Sequence, residues 1–178
     1  IWGQRIEDIL YFQTDPAMRP ETVRQYGRRL RDGFHCRLCA FAAAIELIDI
    51  PDIYPLHADF LSRLALTFDQ GDYAAVTAIA DSQATAESLY QRALAYGPDA
   101  RAFLGLGAMA QRRQRFGQSV DLLEQGLSHF PQNRPLAICL AVSQMNLGRF
   151  VQAKALLGPH AADPQAARLL AACDRGGG

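Results

Sequence analysis

The 178-residue chain has only four cysteines (Cys36, Cys39, Cys139 and Cys173), a single tryptophan, and Lys154 as its one lysine. Four cysteines are sparse for a disulfide scaffold, and they point to a reducing compartment, the cytoplasm. An excess of one charge is also missing, since eighteen Lys and Arg balance eighteen Asp and Glu. That balance disfavours a broad electrostatic grip on nucleic acid or on a membrane surface. No apolar run approaches the roughly 18–20 residues of a membrane span, and no secretory leader pattern opens the chain. GC-rich bacterial coding explains seventeen arginines beside one lysine, so this bias carries no functional weight.

What remains is ordinary globular composition, 49% apolar and 20% charged. It suits one domain, or a short solenoid with an appendage, and is long enough to bury a core. The opening Ile1-Trp2-Gly3 reads as a processed product or as a piece of a longer polypeptide.

Two stretches of the chain repeat each other. Placed at an offset of 34 residues, 100–133 and 134–167 align Leu106 with Leu140, Gly107 with Ala141, and Arg115-Phe116 with Arg149-Phe150. Ser119 then meets Ala153, and Leu122-Leu123 meets Leu156-Leu157. So many agreements at one offset mark an internal repeat. The pattern continues upstream at an offset of 33: Ala86, Leu89, Tyr90, Ala93 and Pro98 reproduce the spacing of Ser119, Leu122, Leu123, Gly126 and Pro131. Gln70-Gly71-Asp72-Tyr73 matches the turn Leu147-Gly148-Arg149-Phe150, with an insertion near Ala80–Ala86. Helices are expected at 57–70, 73–81, 84–97, 100–113, 117–130, 134–147, 151–158 and 164–173.

The period and the residue types resemble the tetratricopeptide repeat over residues 57–173. Phe103 and Leu106-Gly107 hold the places of that family's first helix. Phe116 opens the second helix, Ser119 and Gly126 sit where helices cross, and Pro131 ends the unit. Phe150, Ala153 and Pro164 fill those places in the following repeat, and His160 departs where a small residue is usual. The resemblance implies an all-α, right-handed superhelical array of antiparallel helix pairs. Its physical logic is that Gly107, Ala141 and Ala153 let backbones approach while Leu and Phe fill the space between.

Residues 1–55 have a different texture and form an extra N-terminal helical region. Ile6, Ile9 and Leu10 suggest a short amphipathic helix. Pro20 and Glu21 suit the start of a second helix bearing Val23, Tyr26 and Leu30. Phe34–Ile48 is a third, almost wholly apolar. Pro51-Asp52-Ile53-Tyr54-Pro55 reads as a hinge, which divides the chain into 1–55, the end of a preceding domain, and 56–178, the repeat domain.

Chemistry-bearing motifs are sparse. Cys36-x-x-Cys39 after His35 lacks the second ligand pair of a zinc site and the strand–helix setting of a redox motif, so it reads as two buried thiols. Arg24, Arg28, Arg29, Arg31 and Arg37 form a basic cluster; a solvated or docked face explains it better than a phosphate site. Arg112, Arg113 and Arg115 suit the negative end of a helix. His35, His57, His129 and His160 are scattered outside any acid–base constellation. Gly105 and Gly107 sit in a helical pattern without the strand a phosphate loop requires. No catalysis, metal or cofactor is expected.

The first helices of stacked hairpins line a concave groove. The resemblance places Arg101, Leu104, Ala108, Gln111 and Arg112 there from one repeat, and Ile138, Val142, Met145 and Asn146 from the next. The Asn and Lys constellation of carboxylate-clamp repeats is missing, which disfavours a chaperone-tail peptide. The second repeat offers apolar surface with a methionine, suited to an amphipathic helix or an apolar anchor. A competing reading has Ala166–Cys173 cover that surface as a capping helix. The expected function is a protein-interaction scaffold with a protein or peptide partner, and no nucleic acid or membrane. An uncapped solenoid end also allows a homodimer. Two alternatives stand beside it. One is a chaperone like those of type III secretion translocators, which FLGLGA followed by an aromatic resembles. The other is a non-catalytic C-terminal appendage of a larger bacterial enzyme, radical-SAM types among them.

Overall fold

A computed structural model describes residues 46, 49–70 and 82–176. Among the described residues there is no strand; the α-helices are α1 Tyr54–Asp69, α2 Ser82–Tyr96, α3 Ala100–Arg112, α4 Phe116–His129, α5 Arg134–Asn146, α6 Phe150–Leu157 and α7 Pro164–Gly176. Each corresponds to a helix expected from the periodicity, with ends shifted by no more than three residues. The expected helices before residue 49 and at 73–81 lie outside the described residues, and most of the expected insertion at 80–86 is the first turn of α2.

The chain divides into two compact units, Ile1–Gly97 and Pro98–Gly178. The hinge segment Pro51–Pro55 falls inside the first unit, where Pro51–Ile53 is a 3-10 turn that runs directly into α1. In this unit α1 packs on α2. Leu61, Ala65 and Phe68 of α1 are buried, as are Ala86, Leu89, Tyr90 and Ala93 of α2, at the three- and four-residue spacing of a core-facing stripe. The Tyr96 ring stands edge-on to Tyr54 and His57, with centroids 5.2 and 4.9 Å away. His57 is buried, and that burial holds its imidazole below the ordinary histidine range. At neutral pH it is therefore an uncharged, space-filling ring. Arg92 clasps Glu46 with both arms of its guanidinium, Nε donating to Oε1 at 3.0 Å and Nη2 to Oε2.

The second unit shows why the sequence has its period. Asp99, Asn133 and Asp163 precede α3, α5 and α7, and each accepts a hydrogen bond on its side chain from a first-turn amide. The donors are Ala102 at 2.8 Å, Leu136 at 3.1 Å and Ala166 at 3.1 Å. Such caps satisfy amides that have no partner within the helix. The ends of α3 and α5 are also alike. Gln114 N–H donates to the Gln111 carbonyl at 2.8 Å and Arg115 N–H to that of Ala110 at 2.9 Å. Thirty-four residues on, Gly148 donates to Met145 at 3.0 Å and Arg149 to Gln144 at 2.8 Å. This is the Schellman closure, and it needs a left-handed residue: Gln114 at φ 59° and Gly148 at φ 73°. Phe116 and Phe150 then begin α4 and α6. The 34-residue period is thus a period of backbone hydrogen bonds as well as of side chains.

Short turns fold successive helices back on one another, so α3 packs on α4, α4 on α5, α5 on α6 and α6 on α7. The first helices also meet directly, α3 with α5 and α5 with α7. Gly107 and Gly126 permit these approaches. A Cβ on Gly107 would stand 2.7 Å from the buried Leu123 side chain, and one on Gly126 would stand 2.9 Å from Phe103. At the C-terminal end Ile138, Ala141, Ala153, Leu157, Ala166 and Cys173 form one buried cluster, with Met145, Phe150, Leu169 and Leu170 packed around it.

Two glycine exchanges test this account by urea unfolding. Gln114→Gly should stabilise the second unit by up to ~1 kcal/mol, because it relieves a left-handed side chain. Gly107→Ala should destabilise it by about 1–3 kcal/mol through overpacking against Leu123, despite alanine's better helix propensity. Unchanged stability in Gly107→Ala would show that α3 and α4 do not approach so closely.

Candidate functional site

The second unit contains a buried polar chain that crosses three helices. Gln111 of α3 donates through Nε2 to the Cys139 carbonyl and to Ser143 Oγ of α5, both at 2.7 Å. Ser119 of α4 donates to the Gly107 carbonyl of α3 at 2.9 Å. Ser119 Oγ and Ser143 Oγ are 2.8 Å apart. Because the Ser119 proton is committed to Gly107, Ser143 supplies the proton between the two serines. The donors therefore run in one direction, from Gln111 through Ser143 and Ser119 to the Gly107 carbonyl, and both Gln111 amide protons are used. Ser119 and Ser143 are fully buried, where every unmade bond would be costly. The partners are an amide and carbonyls, none of which accepts a proton at working pH, so these hydroxyls are structural and not nucleophiles.

The repeat offset exposes a contrast. Gln111 corresponds to Met145, Ser119 to Ala153 and Gly107 to Ala141, and all three counterparts belong to or border the apolar C-terminal cluster. The first interface between repeats is tied by hydrogen bonds, and the second is closed by apolar packing.

Above the polar chain lies a groove of about 320 Å³ lined by Leu104 and Gln111 of α3, Pro135, Ile138, Cys139 and Val142 of α5, and Arg134, Asp163 and Gln165 at the helix starts. Four of the sequence-derived groove residues, Leu104, Gln111, Ile138 and Val142, come together here. The other five do not line it. Arg101 and Ala108 are half-buried on α3, and Arg112 is exposed at its end. Met145 packs on the C-terminal cluster, as Ile138 does from within it, beside Ala166 and Cys173 of α7. Asn146 is exposed and donates back to the Val142 carbonyl at 2.8 Å. The C-terminal helix therefore occupies the Ile138 and Met145 side of this surface and leaves Val142 half-buried on the groove.

The electrostatics of the rim are set by one pair. Arg134 Nη1 lies 3.1 Å from Asp163 Oδ2 and joins the start of α5 to the start of α7. The Ala166 amide above all, then the Gln165 amide and the Arg134 guanidinium, hold the Asp163 carboxyl below the usual carboxylate range. Burial pushes the Cys139 thiol up to about 11, so it stays protonated and unreactive in the groove wall. A second depression, of about 490 Å³, lies at the turns, bordered by Leu127, Pro131, Leu156 and Pro159. It is the larger of the two, but it does not join the first helices of successive repeats. Among the described residues, no three His, Cys, Asp or Glu side chains converge as metal ligands. The Cys36/Cys39 pair, His35 and the Arg24–Arg37 cluster lie outside the described residues.

Two helix–turn–helix units at one period, closed by identical turns and sharing small-residue crossings, are now in view. Residues 110–173 match the tetratricopeptide repeat family. The matched segment runs from the last turn of α3 into α7, so it includes both Schellman turns and the apolar cluster. No curated protein and no solved structure matches the chain. Tetratricopeptide repeats are in general non-catalytic modules that bind protein partners. No described helix is long and apolar enough to cross a membrane.

The buried polar chain should behave as a unit. Gln111→Ala leaves the Cys139 carbonyl and Ser143 short of partners and should cost about 1–3 kcal/mol in chemical unfolding. Gln111→Met with Ser119→Ala, which copies the next repeat, should cost less than the two single changes summed; strict additivity would mean the bonds are independent. Asp163 gives a pH test. Its carboxyl titrates lower folded than unfolded, so its contribution is complete above the unfolded pKa and is lost as pH falls through the lower folded value. Thermal melts should therefore show wild type more stable than Asp163→Asn at pH 7, with the gap closing below about pH 4.

Proposed function

We propose that the groove between α3 and α5 binds a segment of a partner protein and that the chain is a non-catalytic scaffold within a larger polypeptide or complex. The observation that carries this reading is the convergence of Leu104, Gln111, Ile138 and Val142 from the first helices of two successive repeats on one groove. The groove is small and largely apolar, with a polar acceptor at Gln111 and an ion pair at its rim. Such a site suits one or two apolar side chains of a peptide or helix, with polar groups setting orientation. The polar chain beneath it fixes the separation of α3 and α5, which is the preorganisation that binding requires. The reading takes the helix pairs as a right-handed superhelical stack, whose first helices form the concave surface, and takes the cytoplasm as its compartment.

Val142→Asp places a carboxylate in the groove wall at a half-buried position. Retained protein from the source-cell lysate should fall at least tenfold on the immobilised variant, while its circular dichroism and unfolding midpoint stay close to wild type. Equal capture by a folded Val142→Asp protein would remove the groove from the function.

A further inference from the structure

The neutral net charge of the chain conceals two opposite halves. Residues 98–178 carry nine Arg and Lys against five Asp and Glu, a net +4, and residues 1–97 carry the compensating −4. Within the second unit the charges also separate by helix. Neither α3 (ARAFLGLGAMAQR) nor α5 (RPLAICLAVSQMN) contains a single carboxylate, and between them they hold Arg101, Arg112 and Arg134. The two carboxylates of the helix between them, Asp121 and Glu124 of α4, are exposed, and that helix has no Lys or Arg. The groove is built from α3 and α5. Its one lining carboxylate, Asp163, is spent on the α7 cap and on one nitrogen of Arg134. A guanidinium has five donors, and Arg134 is about half exposed, 58%, so it is oriented by Asp163 without being used up.

We infer that the segment this groove accepts is acidic: one or two apolar side chains flanked by Asp or Glu carboxylates. The inference rests on the groove being the partner site and adds the chemistry of the partner. Apolar anchors meet Leu104, Ile138 and Val142, and a flanking carboxylate meets Arg134, the arginine that lines the groove. Charges of this kind set partner choice and association rate more than they set final affinity. A nucleic acid fits less well, because the groove wall has no aromatic ring on which a base could stack.

The test is selection of a random dodecapeptide library displayed on phage against the immobilised full chain, with Val142→Asp and Arg134→Gln proteins panned in parallel. Sequences that bind wild type but not Val142→Asp should be enriched in Asp and Glu around a Leu, Ile, Met or Phe. Synthetic copies should bind at least fivefold more weakly to Arg134→Gln, and more weakly again when salt is raised from 50 to 500 mM. Val142-dependent peptides that are neutral or basic would overturn the inference and leave the groove intact as a binding site. No Val142-dependent enrichment at all would overturn the groove reading itself. Displacement of the selected peptides by a 20-nucleotide single strand, lost in Arg134→Gln, would assign Arg134 to nucleic acid and would likewise overturn the proposal.

Discussion

The second unit depends on the run of hydrogen bonds from Gln111 through Ser143 and Ser119 to the Gly107 carbonyl. Helices can slide and rotate on apolar contacts at little cost, because such contacts have no direction. Four bonds among α3, α4 and α5, made where no water competes, permit one rotation and one separation. Gly107 is part of the same constraint. Its missing side chain brings Leu123 against the α3 backbone, and the Gly107 carbonyl is the final acceptor. With α3 and α5 fixed, the groove above them has a fixed width.

The following interface is solved differently. Met145, Ala141 and Ala153 replace the polar set, and Ala166 and Cys173 of α7 complete an apolar seal. Polar and apolar solutions one repeat apart explain why the groove lies over α3 and α5 while α7 shields the far side. The turns are repeated faithfully even though the cores are not. Backbone closure depends on one left-handed residue, whereas core chemistry depends on the whole local neighbourhood.

Much of this was legible in the sequence. The 34-residue offset located the described helices of the second unit, since Phe116 and Phe150 open α4 and α6. The crossing at Gly107 followed from its small size. The polar chain was not read, because Gln111, Ser119 and Ser143 are distant in sequence and meet only once helix rotation is set. Gln111 was assigned to the groove, which it lines, but the inward hydrogen bonds of its amide nitrogen were not foreseen. A signal existed: polar Gln111 and Ser119 stand opposite apolar Met145 and Ala153 in the repeat alignment, which marks an interface closed in two different ways. The division at Gly97–Pro98 was also unread, because the residue pattern continues smoothly across it. Balanced net charge hid the lack of carboxylates on α3 and α5, since a total carries no positions.

The most direct measurement is amide hydrogen exchange of the full chain, followed by mass spectrometry at peptide resolution. If the polar chain joins three helices into one cooperative block, peptides from α3, α4 and α5 should lose protection together, with a common opening free energy and the same denaturant dependence. Exchange of α5 at low denaturant while α3 and α4 remain protected would contradict the account, because the repeats would then be joined by contacts that yield one at a time.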